Sequence, residues 1–208
     1  MSTNIYKELL QKIEEHCHSL KREMPRLIAV SKYEPVESLR LLYDAGCRDF
    51  SESRVQEALF KKAVLPLDIR WHLIGHLQSN KVNKVVGAFS LIHSVHNYEL
   101  LAQIASKKKN QPVLLQVNTS GEPGKQGLTV AEWEKYTYPE GVLVQGISTI
   151  APATPDTSQI HTCFKRLKEA ADKWGLTEIS MGMSSDWKIA LEEGATFLRI
   201  GRYLFNKI

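Results

Sequence analysis

Eight times in succession a short strand-like segment gives way to one with helical spacing, and no other feature of this chain constrains its fold as strongly. Residues 27–31 precede a helix over 36–45, which Gly46 ends, and 48–50 precede a helix over 54–63. The pattern repeats with 69–74 before 79–86, 90–93 before 98–108, and 112–118 before 131–136. It continues with 142–147 before 158–174 and Gly175, then 178–180 before 185–193 and Gly194. Residues 196–200 come last, before a short terminal helix. Runs apolar on both faces suit parallel strands buried on both sides. A βαβα alternation implies a parallel sheet, and eight pairs is the number that closes a (βα)₈ barrel. An open doubly wound sheet would use the same alternation and stays the alternative on periodicity alone. Ahead of the first strand, Ile5, Leu9, Ile13 and Leu20 predict an extra amphipathic helix. Ser2, Thr3 or Asn4 is available to cap it, and Pro25 to stop it. No linker or repeat interrupts the 208 residues, which read as one domain.

Charge and cysteine content exclude several classes. The net charge is +4, from 27 basic and 23 acidic residues, which suits small anionic ligands and does not point to nucleic acid. The run Lys107-Lys108-Lys109 closes a predicted helix, where the dipole favours cations on a solvated face. Cys17, Cys47 and Cys163 are odd in number and form no C-x-x-C pair, against both a disulfide framework and a zinc site. Residues 1–24 are polar, unlike a signal peptide. No apolar stretch approaches the ~18 residues a membrane helix needs. The expectation is a soluble cytoplasmic protein.

In such a barrel the working groups lie at the C-terminal ends of the strands. Period-two alternation puts Ile28, Val30 and Lys32 on one face, aiming Lys32 at the mouth; alone, it would be an ordinary lysine leaving a strand. The third unit carries Trp71-His72-Leu73-Ile74-Gly75-His76-Leu77-Gln78-Ser79-Asn80-Lys81. The fifth ends in a glycine-rich loop, Asn118-Thr119-Ser120-Gly121-Glu122-Pro123-Gly124-Lys125-Gln126-Gly127, long for a βα connection. The seventh ends Ser180-Met181-Gly182-Met183-Ser184-Ser185-Asp186 and the eighth Arg199-Ile200-Gly201-Arg202, each leading towards a helix. Loops after strands seven and eight frequently build a phosphate site. Glycines admit the backbone, helix N-termini aim N–H groups at an anion, and serine and arginine add donors. A phosphorylated aldehyde held as an imine would need this cup and a lysine able to lose its proton. Spacing alone does not choose among phosphorylated ligands.

Five of these segments, in this order, resemble one family, the pyridoxal phosphate homeostasis proteins. The match runs from about Leu27 to Phe205 through Ala29-Val30-Ser31-Lys32, His72-Leu73-Ile74-Gly75 with Leu77-Gln78-Ser79-Asn80-Lys81, and Asn118-Thr119-Ser120 with Glu122, Lys125 and Gly127. It ends with Ser180-Met181-Gly182-Met183-Ser184 plus Asp186, and Arg199-Ile200-Gly201. The family resembles the barrel domain of alanine racemase. The resemblance implies pyridoxal 5′-phosphate (PLP) as cofactor, held as a Schiff base on Lys32. Ser180, Ser184, Gly201 and Arg202 would surround the phosphate, and Arg199 would face the pyridine nitrogen. Asn118 and either Trp71 or His72 would line the pocket nearer the ring. An arginine cannot readily give the ring a full proton, so the ring would be a weaker electron sink than one paired with a carboxylate.

Three positions depart from the family pattern. Ser51-Glu52-Ser53 stands for Gly-Glu-Asn, Arg202 for a threonine or serine, and Phe205-Asn206 for Phe-Gly. The resemblance implies a protein that balances PLP and amino-acid pools without a robust catalytic reaction. Apo PLP enzymes are its candidate recipients, and the expected state is a monomer or weak dimer. A racemase is the alternative, but a two-base racemase needs an acid/base on each face of its substrate. Eight βα units leave no second domain to supply one, and Tyr33 and Tyr203 are better explained by packing. A barrel enzyme taking another phosphorylated ligand through an imine on Lys32 is the third reading.

Overall fold

The computed structural model describes residues 2–122 and 124–205. Eight parallel strands close a barrel in sequence order. They are β1 (Arg26–Val30), β2 (Asp49–Glu52), β3 (Arg70–Leu73), β4 (Leu91–Val95), β5 (Gln111–Gln116), β6 (Val142–Ser148), β7 (Glu178–Ser180) and β8 (Phe197–Ile200). The helices are α1 (Ser2–Ser19), α2 (Val36–Asp44), α3 (Val55–Val64), α4 (Val82–Val85), α5 (Tyr98–Ala105), α6 (Val130–Trp133), α7 (Thr157–Trp174) and α8 (Trp187–Glu192). A 3₁₀ turn over Ser79–Lys81 leads into α4. The open-sheet alternative is excluded by β1, which pairs with both β2 and β8.

The eighth helix comes from the wrong end of the chain. After β8 the described residues make turns only, not the expected terminal helix, and Asn206 lies outside the described residues. Instead α1 packs against both α2 and α8, burying Tyr6, Leu9 and Ile13. Its His16 meets Trp187 edge-on. The helix that reads as an addition to the barrel therefore completes its outer ring. Nor does Pro25 stop it: α1 ends at Ser19, where Lys21 N–H donates to His18 O and Arg22 N–H to Cys17 O. Lys21, at φ 54°, takes the left-handed position of a Schellman cap. Gly46, Gly175 and Gly194 end α2, α7 and α8 in the same manner, as their sequence positions predict.

Alternation sorts the strands into two apolar layers. Ile28, Leu91, Leu114 and Phe197 form a cluster inside the barrel, while Leu27, Ala29, Phe50 and Trp71 join the larger core under the helices. One glycine sets how closely two strands approach: a Cβ on Gly146 would lie 1.8 Å from the Glu178 carbonyl oxygen on β7. Gly146→Ala should therefore lower stability in urea by roughly 1–3 kcal/mol or more, because a backbone atom cannot swing aside as a flexible side chain can. An unchanged urea midpoint would refute that close approach. No helix among the described residues is long and apolar enough to cross a membrane.

Candidate functional site

The register of β1 directs Lys32. Ile28 is opposite Arg199 of β8 and belongs to the interior cluster, so Val30 and then Lys32 continue the inward face to the C-terminal rim. Ser31 clamps this exit. Its N–H and hydroxyl both donate to the Ser51 carbonyl, at 2.9 and 3.0 Å, and the hydroxyl also lies 2.8 Å from Glu52 Oε1. The Ser31 carbonyl accepts from Lys61 Nζ at 2.9 Å and Glu34 N–H at 3.0 Å. Tyr33 then turns the chain in a left-handed conformation, φ 67°. The Lys32 side chain is exposed and has no hydrogen-bonding or ionic partner among the described residues.

Beneath the rim a chain of polar side chains crosses the barrel. Arg70 Nε and Nη2 donate to the two oxygens of Asp49 at 2.8 and 2.5 Å. Asp49 Oδ1 is 2.9 Å from His72 Nε2, and His72 Nδ1 is 3.0 Å from His93 Nε2. His93 Nδ1 is 2.9 Å from Ser180 Oγ, onto which Arg199 Nη1 donates at 2.5 Å. Arg199 Nη2 donates to the Thr149 carbonyl at 2.7 Å. A cavity of about 20 Å³ lies above, lined by Ile74, His93, Gln116, Ser148, Ile150 and Arg199. Burial lowers the Arg199 guanidinium to about 10, opposed by nearby Asp186. Near neutral pH it remains a cation.

Asp49 ties this chain to acid stability. Burial alone would raise its carboxyl, but hydrogen bonds from Arg70 and His72 outweigh that and hold it at about 2. A depressed carboxylate contributes stability above its unfolded value near 3.8, lost as pH falls through the folded one. Roughly 2–3 kcal/mol should disappear between about pH 4 and pH 2. Asp49→Asn should flatten that limb in acid titrations followed by circular dichroism; a limb of unchanged slope would count against it.

The loops after β7 and β8 meet at the rim. Ser184 Oγ accepts from Tyr203 N–H at 3.2 Å, and Asp186 Oδ1 from Met183 N–H at 2.5 Å. Among the described residues the backbone N–H groups of Ser184, Gly201 and Arg202 donate to no protein acceptor. A Cβ on Gly201 would stand 3.3 Å from Val30 Cβ, so this turn lies directly against the strand that carries Lys32. The Arg202 side chain is exposed. On the far side, Asn118 Oδ1 accepts from Ser120 Oγ and Gly121 N–H, shaping its own loop. With Gln116, Lys125, Gln126, Thr149 and Ile150 it borders a cavity of about 260 Å³.

Lys32, Arg199, Gly201 and Ser184 thus gather on the β1–β8–β7 side, and Asn118 lies across the mouth. Ser180 sits one layer down: its hydroxyl is fully buried and spent on His93 and Arg199. Of the pair Trp71 and His72, Trp71 faces the helices against Phe50, and His72 points inward but is separated from the mouth by His93. Sequence reasoning missed His93, Asp49, Gln116, Glu52 and Lys61. For His93 a signal existed, since it lies two residues after the inward Leu91.

Comparison with known proteins agrees with this architecture. The family model "Alanine racemase, N-terminal domain" matches residues 9–207. A pyridoxal phosphate homeostasis protein of Aquifex aeolicus is 37% identical over 96% of this chain and 95% of its own. One from Synechocystis sp. is 40% identical over 87% of this chain and 90% of its own. The structure of PipY of Synechococcus elongatus with PLP bound superposes with a TM-score of 0.78 at 37% identity, covering 93% of this chain and 99% of that one. With a matching family model and relatives of this identity spanning nearly its whole length, the chain belongs to the pyridoxal phosphate homeostasis protein family, on the alanine racemase N-terminal fold.

Proposed function

We propose that this protein binds PLP at the barrel mouth, linked to Lys32 as a Schiff base, and serves PLP and amino-acid homeostasis without a robust catalytic reaction. The observation that carries the reading is the position of Lys32: an unpaired lysine at the rim of β1, beside a turn and a loop with unused N–H donors. Those donors suit a phosphate, since peptide N–H groups and a hydroxyl satisfy its oxygens without a metal. Ser184, Gly201 and the main chain of Arg202 contact the phosphate, and the Arg202 guanidinium adds charge from solvent. Arg199 meets the ring nitrogen from below, Ser180 holds Arg199, and Asn118 frames the opposite wall. PLP bound to PipY, a protein 37% identical, supports the choice of ligand.

Two features favour binding over turnover. The Tyr203 hydroxyl accepts from Lys12 Nζ at 2.8 Å, and Tyr33, contrary to the packing role expected from the sequence, is exposed with its ring against Arg54. Neither tyrosine stands ready as a second base. The relatives' names likewise describe homeostasis rather than a reaction. On this reading the loaded protein, a cytoplasmic monomer or weak dimer, shields a reactive aldehyde and yields it to apo PLP enzymes.

Borohydride reduction of the PLP-loaded protein, followed by peptide mass mapping, tests the proposal. One cofactor fixed on Lys32 is expected, with no measurable racemisation of amino acids. Absence of a fixed cofactor, or labels scattered over surface lysines, would overturn it.

A further inference from the structure

The hydrogen-bonded chain beneath the mouth has a direction. Asp49 is ionised, so it only accepts, and His72 Nε2 must carry a hydrogen. His72 and His93 are both buried, and burial lowers both imidazoles. At His72 the hydrogen bond and charge of Asp49 oppose this without overcoming it, while Arg26 and Arg70 add to it. At His93 the charges of His72, Arg199 and Arg26 add to it. A neutral His72 with hydrogen on Nε2 has a bare Nδ1, which accepts from His93 Nε2 at 3.0 Å. His93 Nδ1 is then bare and accepts from the Ser180 hydroxyl at 2.9 Å. The lone pairs of Ser180 Oγ remain, and Arg199 donates to them. Every hydrogen points from Arg199 towards Asp49, and reversing any one link would set two donors or two acceptors face to face.

We infer that Asp49, His72, His93 and Ser180 are positioning residues that make Ser180 a fixed acceptor and thereby hold Arg199 with its remaining N–H groups aimed at the mouth. With Nη1 on Ser180 and Nη2 on the Thr149 carbonyl, the guanidinium plane has two anchors. A ring nitrogen docked against it must be an acceptor, hence unprotonated. That last step rests on the PLP reading; the direction of the chain does not.

The test has two arms. Nitrogen-15 histidine spectra of the unliganded wild-type protein near neutral pH should show His72 and His93 neutral, each with its hydrogen on Nε2. A hydrogen on Nδ1, or a protonated ring, would overturn the chain whether or not PLP binds. In the second arm, His93→Leu should weaken PLP binding about tenfold or more, the size expected on losing a hydrogen bond that orders a charged group. His93→Gln, which keeps one donor and one acceptor, should recover most of the affinity. Equal affinity in His93→Leu and wild type would refute the positioning role. Failure of the wild type to take up PLP would instead refute the choice of ligand, leaving the spectra to decide the chain.

Discussion

Lys61→Met should lower the stability of this protein by about 3–5 kcal/mol, the usual result of stripping one partner from a buried ion pair. Lys61 reaches inward from α3, and its Nζ lies 2.6 Å from Glu52 Oε1, 3.0 Å from Glu57 Oε1 and 2.9 Å from the Ser31 carbonyl. Glu52 has no solvent exposure, and its second oxygen, Oε2, has no hydrogen-bond partner. Burial already pushes the Glu52 carboxyl up, against the pull of Lys61 and Ser31. Without the ammonium the carboxylate must either take up a proton or leave the interior. A carboxyl raised in the folded state favours folding below its unfolded value, and that advantage fades as pH rises towards the folded value. The defect should therefore be larger at neutral pH than near pH 4. Adding Glu52→Gln to Lys61→Met should return a substantial part of the loss, because the charge that made it costly is gone. Urea denaturation of the two single variants and the double variant gives the comparison. A loss below about 1 kcal/mol for Lys61→Met would mean that the pair is not buried in solution.

That ion pair also shows where sequence reading stops. The barrel was legible because its signals are local: segments of strand length alternating with helical spacing, and glycines placed to end helices. Lys32 was legible through the alternation of Ile28 and Val30. Glu52 and Lys61 are nine residues apart on a strand and the helix after it, a separation that matches no strand or helix period. Their meeting depends on how α3 lies against β2, which packing alone decides.

Ser180 illustrates a second limit. Its motif marks the end of β7 correctly, but a one-dimensional pattern does not say at which depth a side chain points. Ser180 is fully buried, and its hydroxyl is taken up by His93 and Arg199. The buried polar layer itself was read only in fragments. Asp49, His93 and Arg199 belong to β2, β4 and β8, three strands far apart in the sequence, and His93 and Arg199 in isolation look like exceptions in apolar strands. Assembled, each is satisfied through a shared neighbour, His72 between Asp49 and His93 and Ser180 between His93 and Arg199, as buried polar groups must be. Among the described residues no terminal helix fills the closing slot, which needs an amphipathic face; α1 supplies it from the other end of the chain.

Lys32→Ala should abolish fixation of PLP by borohydride and leave the fold intact. The structure separates these outcomes because Lys32 is exposed and makes no hydrogen bond or ion pair among the described residues. Losing such a side chain changes stability by no more than about 0.5 kcal/mol, a shift of about 2 °C at most in Tm for a chain of this size. No neighbour can take over its chemistry, since Lys61 is held under Ser31 by Glu52 and Glu57. Lys125 is paired with Glu122 in the β5 loop. On the proposed reading, reversible binding through Ser184, Gly201, Arg202 and Arg199 should persist in Lys32→Ala, visible as quenching of tryptophan fluorescence that dialysis removes. Cofactor still fixed in Lys32→Ala, at any lysine, would move the attachment point and with it the whole orientation of the ring over Arg199. Loss of the fold instead would show that the clamp on Ser31 depends on the residue after it, contrary to the contacts that clamp displays.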